Sequence, residues 1–296
     1  MAIQYLKKVI EKTTIQLLEL ASIELPNGVE KALRESLKKE DEPVAKTQLS
    51  SILKNIEVAR NKHIPLCQDT GIPMFHLILG EEFPLKAELR SILCEAVRKA
   101  TITIPLRPNA VHPLSRRNSG DNTGSYIPYI EWEIVSGSTL DIIAIPKGFG
   151  SENMSGLGIL TPGQGLKGVK EFILDSVLKA GGMNCPPTII GVGLGLGVDG
   201  VMKLARKAVL RPIQSRNKDS EIEKLENELL KIVNETGIGP MGLGGKTTSL
   251  AVNIEIGHTH VASLPVGVVF QCWAARRAEA IIHANGNVEY KSHEVK

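Results

Sequence analysis

The order of hydrophobic patterns along the chain is the feature that most restricts its fold. Residues 3 to 60 carry apolar side chains at helical spacing, and Pro26-Asn27-Gly28 interrupts this pattern after a first segment. Runs of strand length appear only after residue 70, scattered among glycine-rich and proline-rich segments. Because the helices come first instead of alternating with strands, the pattern predicts an α+β or irregular α/β fold. We expect N-terminal helices over about residues 1–60, followed by mixed strands packed with helices.

Shorter patterns predict the individual elements after residue 70. Strands are expected at 74–80, 130–135, 139–146, 188–195 and 249–257, and helices at 85–101, 166–180 and 199–236. The segment Ser136-Gly137-Ser138 predicts a hairpin between the second and third of these strands. Residues 258–282 predict a strand followed by a helix.

Composition and charge argue against several classes of protein. The chain has 296 residues, 4% aromatic residues and a formal net charge of +3, which does not favour a nucleic-acid or membrane surface. No segment approaches the ~20 consecutive apolar residues of a membrane span, and the charged N-terminus lacks the pattern of a signal peptide. We therefore expect a cytoplasmic protein without nucleic-acid or membrane partners. In that reducing compartment, its 4 cysteines favour metal binding or catalysis over disulfides.

The stretch PLCQDTGIPMFH, residues 65–76, places Cys67 directly before Gln68, Asp69 and Thr70. A cysteine in a hydrophobic core needs no such run of polar neighbours. A thiolate that binds a metal beside a substrate does, because amide and carboxylate groups can then hold the substrate or move its protons. The alternative interpretation of an Asp before Thr-Gly is a turn or cap residue.

Cys185 and Cys272 share the setting of Cys67, whereas Cys94 does not. Each of the three lies at a junction between predicted elements and beside an amide side chain, while Cys94 lies inside a helical pattern and is expected to be a small, partly buried residue. The three are 118 and 87 residues apart, so no local pair of the structural-zinc type exists. Three isolated thiols would suit an iron–sulfur cluster with one open iron. Unconnected core cysteines are the alternative.

Two glycine motifs nearly match nucleotide-binding patterns. Gly195-Leu-Gly197-Val-Asp-Gly200 satisfies G-x-G-x-x-G, but no βαβ alternation precedes it, so we expect these glycines to allow tight packing of helix on strand. The segment GPMGLGGKT, residues 239–247, imitates a phosphate loop but has Pro240 where the motif needs glycine. Proline lacks the N–H that a phosphate cradle uses, so we exclude a nucleotide hydrolase. This loop either presents Lys246 to an anion or simply turns.

Residues 104–126 form a long polar loop, IPLRPNAVHPLSRRNSGDNTGSY, with three arginines and many Pro, Asn and Gly residues. Loops of this length without periodicity are uncommon in compact domains and are usually functional or disordered. Within it, Arg107 is suited to clamp a carboxylate, because a guanidinium can pair with one through two hydrogen bonds.

Six segments together resemble a known family. They are LCQDTGIP, LRPNAVHPLSRRNSGDNTG, PKGFGSENMS, MNCPPTIIGVGLGLGVD, GIGPMGLGGKTT and IEIGHTHVASLPVGVVFQCWAARRA. The resemblance is to the iron–sulfur hydro-lyases, specifically the α-subunit or N-terminal domain of class I fumarases and of L-tartrate dehydratase. It covers roughly residues 5 to 284. It implies a single α-domain over 1–284, with 285–296 as a C-terminal tail.

The resemblance also implies a ligand set and roles for individual residues. Cys67, Cys185 and Cys272 match the family's ligands to a 4Fe–4S cluster, which would lie at loop junctions. Asp69 matches the group that handles the substrate proton. The residues implied in binding substrate are Gln68, Arg107, Gly150 and His260. His258 is as readily structural.

The resemblance further implies a partner and a choice of reaction. The family's C-terminal β-domain has no counterpart in residues 1 to 296, so we expect a separate β-subunit in an α2β2 assembly. The expected activity is reversible hydration of fumarate to L-malate, with dehydration of L(+)-tartrate to oxaloacetate as the alternative; the substrate is a small dicarboxylate in both cases. A non-catalytic iron–sulfur, oxygen-sensing or zinc-binding protein is the alternative of a different class.

Overall fold

The structure, a computed structural model, describes residues 2 to 293 and divides into two compact units. Unit 1 contains the described residues of Met1–Asn27, Asn55–Phe149 and Arg276–Lys296; unit 2 contains Gly28–Lys54 and Gly150–Ala275. The implied α-domain over 1–284 stays a prediction. Of the implied tail, residues 294–296 lie outside the described part of the chain.

The fold class is α+β, as predicted, with helices first and strands after them. The helices are α1 (Ala2–Ile23), α2 (Val29–Lys39), α3 (Pro43–Lys62), α4 (Leu89–Thr103), α5 (Phe149–Glu152), α6 (Gly165–Ala180), α7 (Val198–Val209) and α8 (Ser220–Glu235). The strands are β1 (Ile72–Gly80), β2 (Tyr129–Val135), β3 (Thr139–Lys147), β4 (Gly156–Leu160), β5 (Thr188–Leu196), β6 (Ser249–Thr259), β7 (Leu264–Gln271), β8 (Ala278–His283) and β9 (Val288–Tyr290).

In unit 1, the strands form one sheet in the order β2-β1-β3-β8-β9. Helices α1 and α4 pack against each other, and α1 also packs on β3 and β8. Apolar side chains at helical spacing on α1, such as Leu6, Ile10 and Leu17, are buried in this core together with Phe75 and Leu77 of β1. The N-terminal helical pattern is thus explained by burial of one helix face against a sheet.

The predicted hairpin between residues 130–135 and 139–146 was wrong. β1 lies between β2 and β3, pairing with β2 in parallel and with β3 antiparallel. The turn that follows β2 therefore crosses the end of β1, where a Cβ on Gly80 would lie 2.4 Å from the Gly137 carbonyl oxygen. A strand from 55 residues earlier in the chain, as in the pair Met74 and Tyr129, has displaced the local pairing that the turn residues suggested.

In unit 2, the strands form a sheet in the order β4-β7-β5-β6, with β5 and β6 parallel and β7 antiparallel to β5. Helix α7 packs directly on β5. A Cβ on Gly191 or Gly193 would lie 2.1 Å from a carbonyl oxygen of α7, so these two glycines permit the close approach of helix and strand. The packing role predicted for the glycine motif therefore belongs mainly to the two glycines just before it.

The helix predicted over residues 199–236 is interrupted. It consists of α7 and α8, separated by a segment that contains Pro212. Asp219 caps α8, since its Oδ1 accepts from the backbone N–H of Glu221 at 2.8 Å.

The glycine-rich loop before β6 binds carboxylate side chains of the same polypeptide. The carboxylate of Glu40, only 1% exposed, accepts from the backbone N–H of Lys246 at 2.7 Å, and the Lys246 ammonium pairs with Asp41. This contact lowers the pKa of the Asp41 carboxyl. The sequence left two uses for this loop, presenting Lys246 to an anion or simply turning. In the structure, Lys246 binds two carboxylates of the α2–α3 connection.

The helix predicted at the end of residues 258–282 was also wrong, because Ala278–His283 is strand β8. Its Ala and Glu residues have helical propensity, but the strand lies between β3 and β9 and buries alternate residues. Burial in a sheet outweighs intrinsic propensity here. Part of the implied tail continues this sheet as β9, and His293 beyond it is buried, which together with the Arg277 charge lowers its pKa to about 4.

Over residues 2–293, no helix has both the length and the apolar character needed to cross a membrane.

Candidate active site

The segment between α3 and β1 carries Cys67, Gln68 and Asp69, and it is anchored at its start. The backbone N–H of Leu66 donates to the Ser22 carbonyl at 2.9 Å, and the Leu66 carbonyl accepts from the Asn55 side chain at 2.8 Å. Leu66 is buried, whereas Cys67 and Gln68, which follow it, are exposed. The anchor therefore presents the thiol and the amide at the surface of unit 1.

The carboxylate of Asp69 is held between two backbone amides. Its Oδ1 accepts from Gly71 N–H at 2.9 Å, which forms the turn expected of an Asp before Thr-Gly, and its Oδ2 accepts from Phe149 N–H at 2.9 Å. The second bond ties the loop to the segment that follows β3, 80 residues away in sequence. A carboxylate has about four acceptor positions, so this anchoring leaves room for a further proton or substrate contact.

A polar network joins this loop to the long loop over residues 104–126. The hydroxyl oxygen of buried Thr70 accepts from Arg107 N–H at 3.0 Å, and the Asn109 amide donates to the Gly71 carbonyl at 3.0 Å. Asn122, 1% exposed, donates to the Arg107 carbonyl at 2.9 Å. The start of the long loop is therefore fixed by side chains.

As a result, unit 1 brings three of the predicted site residues together. The Arg107 side chain is exposed, and its Nη1 lies 3.4 Å from the Gln68 carbonyl oxygen, next to Asp69. A guanidinium, an amide and a carboxylate, which lie within 40 residues of sequence, are thus found on one surface.

In unit 2, the fold brings Cys185 and Cys272 close together. Cys185 precedes β5 and Cys272 follows β7, and these antiparallel strands pair there, Ile189 with Gln271. The backbone N–H of Trp273 donates to the Cys185 carbonyl at 3.1 Å. Both thiols are half-buried.

His260 lies at the opposite end of this sheet. It follows β6, whose Thr259 pairs with Leu196 at the far end of β5. Strand β5 runs nine residues from Thr188 to Leu196, a length of roughly 26 Å at 3.3 Å per residue. His260 is exposed, and its Nδ1 accepts from Ala262 N–H at 3.1 Å. Within one chain it does not approach Cys185 or Cys272.

Gly148 and Gly150 differ in how much space the folded chain leaves at their Cα atoms. A Cβ on Gly150 would meet only the Met183 carbonyl oxygen, at an ordinary 3.5 Å, so packing within the chain does not demand glycine there. A Cβ on Gly148 would lie 2.5 Å from Nη2 of Arg276 and 3.2 Å from Oδ2 of Asp69. Within the chain, a Cβ at Gly148 would press on the Arg276 guanidinium, whereas the predicted contact of Gly150 with substrate stays a prediction.

Sequence reasoning missed several residues that shape this surface: Thr70, Asn109, Asn122, Gly148 and Arg276. All lie inside the six segments that carry the family resemblance. Arg276 is 2% exposed, and its Nη1 donates to the Asp69 carbonyl at 2.5 Å. For Arg276, the available signal was the Arg276-Arg277 pair between alanines at residues 274–278.

Comparisons with known proteins identify the family of the chain. A family profile described as "Fumarate hydratase (Fumerase)" matches residues 11–281. The chain belongs to this family. It is 46% identical over 273 residues to a "Putative L(+)-tartrate dehydratase subunit alpha" of Methanocaldococcus jannaschii, covering 91% of this chain and 96% of the relative. It is 35% identical over 275 residues to the "L(+)-tartrate dehydratase subunit alpha" of Escherichia coli (strain K12), covering 93% and 91%.

The chain is therefore a member of a hydro-lyase family that includes fumarate hydratases and tartrate dehydratase α-subunits. The resemblance inferred from the six segments is confirmed. The individual site residues and the iron–sulfur cluster stay predictions.

The donor set of the three junction cysteines fits an iron–sulfur cluster. Thiolates are the ligands that such clusters use, and the thiols of Cys67, Cys185 and Cys272 form no disulfide. Beside Cys185, the buried Oδ1 of Asn184 has no hydrogen-bond partner among the described residues. That oxygen can only accept a hydrogen bond, so it is open to a donor such as water, and the fit to a cluster rests on the three thiols. Between residues 2 and 293, no three His, Cys, Asp or Glu side chains are preassembled around a metal position.

Proposed function

We propose that the chain is the α-subunit of an iron–sulfur hydro-lyase that adds water to, or removes it from, a small dicarboxylate. The observation that carries the proposal is the grouping of Gln68, Asp69 and Arg107 in unit 1, directly beside Cys67. A protein that only bound a cluster would need the cysteines but not a carboxylate clamp next to a carboxylate base.

In this proposal Cys67, Cys185 and Cys272 hold a 4Fe–4S cluster. When bound, the cluster supplies a Lewis acid at its open iron, which eases departure or arrival of the substrate hydroxyl. The adjacency of Cys185 and Cys272 and the exposure of Cys67 support this ligand set.

Asp69 moves the proton on the carbon next to the one that carries the hydroxyl. That C–H bond is weakly acidic, so a positioned base is needed in dehydration and the corresponding acid in hydration. The two backbone amides that hold its carboxylate fix the direction of the remaining lone pairs, which is what efficient proton transfer requires.

Arg107 binds a substrate carboxylate through two parallel hydrogen bonds, and Gln68 contributes a neutral hydrogen bond beside it. Negative charge grows on the substrate carboxylate when the proton leaves, so the guanidinium stabilises the transition state as well as the bound substrate. Gly150 is proposed to lie against the substrate, since no packing within the chain requires glycine there.

The relatives named above are α-subunits, which supports a β-subunit partner, and we propose an α2β2 assembly for this chain. The free cysteines support a reducing compartment, and we place the enzyme in the cytoplasm. With two α chains present, His260 has a role despite its distance from Cys185 and Cys272. We propose that it serves the site of the second copy.

This role of His260 predicts complementation between inactive variants. His260→Asn and Cys67→Ser should each lower activity strongly when both α chains carry the same change. A complex with one copy of each variant retains one site with all its cysteines and a neighbouring intact His260, so activity should return at that site. The measurement is steady-state turnover of mixed complexes, purified through two different tags on the α chains. Absence of any recovery would show that His260 does not act across copies.

The substrate has two candidates, each with its own support. The family profile is that of fumarate hydratase, and we take interconversion of fumarate and L-malate as the first candidate. The relatives at 35–46% identity are named tartrate dehydratases, which favours L(+)-tartrate as the second.

The experiment that tests the function is an anaerobic assay of the chain together with its β partner, after reconstitution with iron and sulfide. Fumarate, L-malate and both enantiomers of tartrate are offered separately, and the formation or loss of the enoic and oxo acids is followed. Turnover of both fumarate and L-malate, or of one tartrate, is expected only with reconstituted protein. A colourless protein that binds zinc and turns over none of the four would overturn the proposal.

A further inference from the structure

Arg276 is a buried cation that lies near the Asp69 carboxylate but forms no direct ion pair with it. It is 2% exposed, its Nη1 donates to the backbone carbonyl of Asp69, and its buried Nε has no partner. Over the described residues it forms no ion pair with any carboxylate. Neighbouring Arg277, by contrast, pairs with Glu279.

A buried guanidinium whose direct hydrogen bond goes to a carbonyl is costly to fold, because no direct ion pair offsets its desolvation. The same region holds a second buried cation, since Lys147 is 1% exposed and its Nζ donates to the Gly148 carbonyl at 3.2 Å.

The position of Arg276 connects it to the proposed base. The carbonyl it binds belongs to Asp69, two residues from Cys67, and Arg276 itself follows Cys272 by four residues. Gly148 is small enough to let the guanidinium and the Asp69 carboxylate lie against the same backbone atom. The next residue, Phe149, donates its N–H to that carboxylate.

We propose that Arg276 is a positioning residue for the active-site loop and the fixed positive charge that the anionic cluster site requires. This inference rests on the proposed function. Arg276 holds Asp69 through its backbone carbonyl and keeps the Asp69 carboxylate aligned with the amides of Gly71 and Phe149. Its charge offsets part of the negative charge of Asp69, the thiolates, the cluster and the dicarboxylate. The guanidinium of Arg276 therefore meets its full set of negative charges only when the cluster and the substrate are bound.

The positioning role is tested without cluster or activity, by hydrogen exchange of the full-length cluster-free chain. Arg276→Gln should speed exchange of the Gly71 and Phe149 amides by roughly tenfold, because their acceptor loses its anchor. Gly148→Ala should do the same while leaving the charge in place, since the new Cβ displaces Nη2. Two controls should leave both amides unchanged: Arg277→Gln, which removes a neighbouring guanidinium, and Gly163→Ala, where a Cβ meets nothing within 4 Å.

The charge role is tested by the midpoint potential and retention of the reconstituted cluster. Arg276→Gln should shift the potential to more negative values, because removing a nearby positive charge disfavours the reduced form. It should also weaken cluster retention by ~10–100-fold, the usual effect of losing an outer-shell partner. Arg276→Lys keeps the charge and should restore the potential but only part of the amide protection.

The outcomes separate this proposal from the proposed function. Uniformly faster exchange across unit 1 in Arg276→Gln, with an unchanged potential, would make Arg276 an ordinary core residue and overturn the positioning and charge roles. If Arg276→Gln speeds exchange only at the Gly71 and Phe149 amides, but the chain assembles no cluster, the positioning role stands and the proposed function is rejected. An unchanged potential in a folded Arg276→Gln variant with a full cluster would refute the charge role directly.

Discussion

Replacing Cys67, Cys185 or Cys272 by serine should remove the visible chromophore of the reconstituted protein, whereas Cys94→Ser should leave it. A serine hydroxyl is a poor substitute for a thiolate at iron, and with three protein ligands the loss of one leaves two. Cys185 and Cys272 lie close together at one end of the unit 2 sheet. They are the two cysteines of that unit, so no further cysteine of unit 2 can replace either one. The measurement is anaerobic reconstitution followed by absorbance and by iron and sulfide content.

Cys94 is the matched control for this prediction. It is half-buried on α4, between Leu93 and Glu95, in a helical pattern that packs on α1. Its replacement tests whether any cysteine change affects reconstitution through stability alone. A bleached Cys94→Ser variant, with full colour retained after loss of one of the other three, would mean that a different set of ligands holds the cluster.

Asp69→Asn should lower kcat by about 10²–10⁴-fold, the range typical for loss of a general acid or base. The variant retains nearly the same shape but cannot take up the substrate proton. Arg107→Lys is the matched comparison, since it keeps charge but loses the paired hydrogen bonds and should act mainly by raising KM. Both variants are measured by steady-state kinetics in the assembled complex, with cluster content checked by absorbance.

The structure adds a requirement to the Asp69 experiment. Asp69 accepts from two backbone amides, and an asparagine has one oxygen, so one of the two hydrogen bonds must be lost. Exchange of the Gly71 and Phe149 amides should therefore be measured in the same variant. Near-normal kcat with an intact cluster would place the base elsewhere, in the β-subunit or in another residue of this chain.

Local patterns determined much of the architecture. Helical spacing over residues 3–60 was enough to place helices before strands, because an amphipathic helix shows its buried face in its own sequence. The setting of Cys67, beside Gln68 and Asp69, was enough to separate it from Cys94. Both inferences use information that lies within a few residues.

Two features could be determined only from the tertiary structure: the pairing of β2 and β3, and the strand formed by residues with helical propensity. The turn at 136–138 suggested a hairpin, but β1 from a distant part of the chain pairs with both neighbouring strands. Residues 278–283 have helix-forming composition, yet they form a central strand because burial between β3 and β9 stabilises them more. In both cases a non-local contact outweighed a local preference, and such contacts leave no periodic signal.

The shape of the candidate site was decided in the same way. The sequence named Gln68, Asp69 and Arg107 as chemistry-bearing residues, but Thr70, Asn109 and Gly148 acquire meaning only from the contacts they make. Arg276 bonds a carbonyl 207 residues away, and His260 is separated from Cys185 by the length of β5. The sequence by itself determined which side chains can do the chemistry; only the folded chain decided which of them meet, because distance in space depends on strand order and not on spacing along the chain.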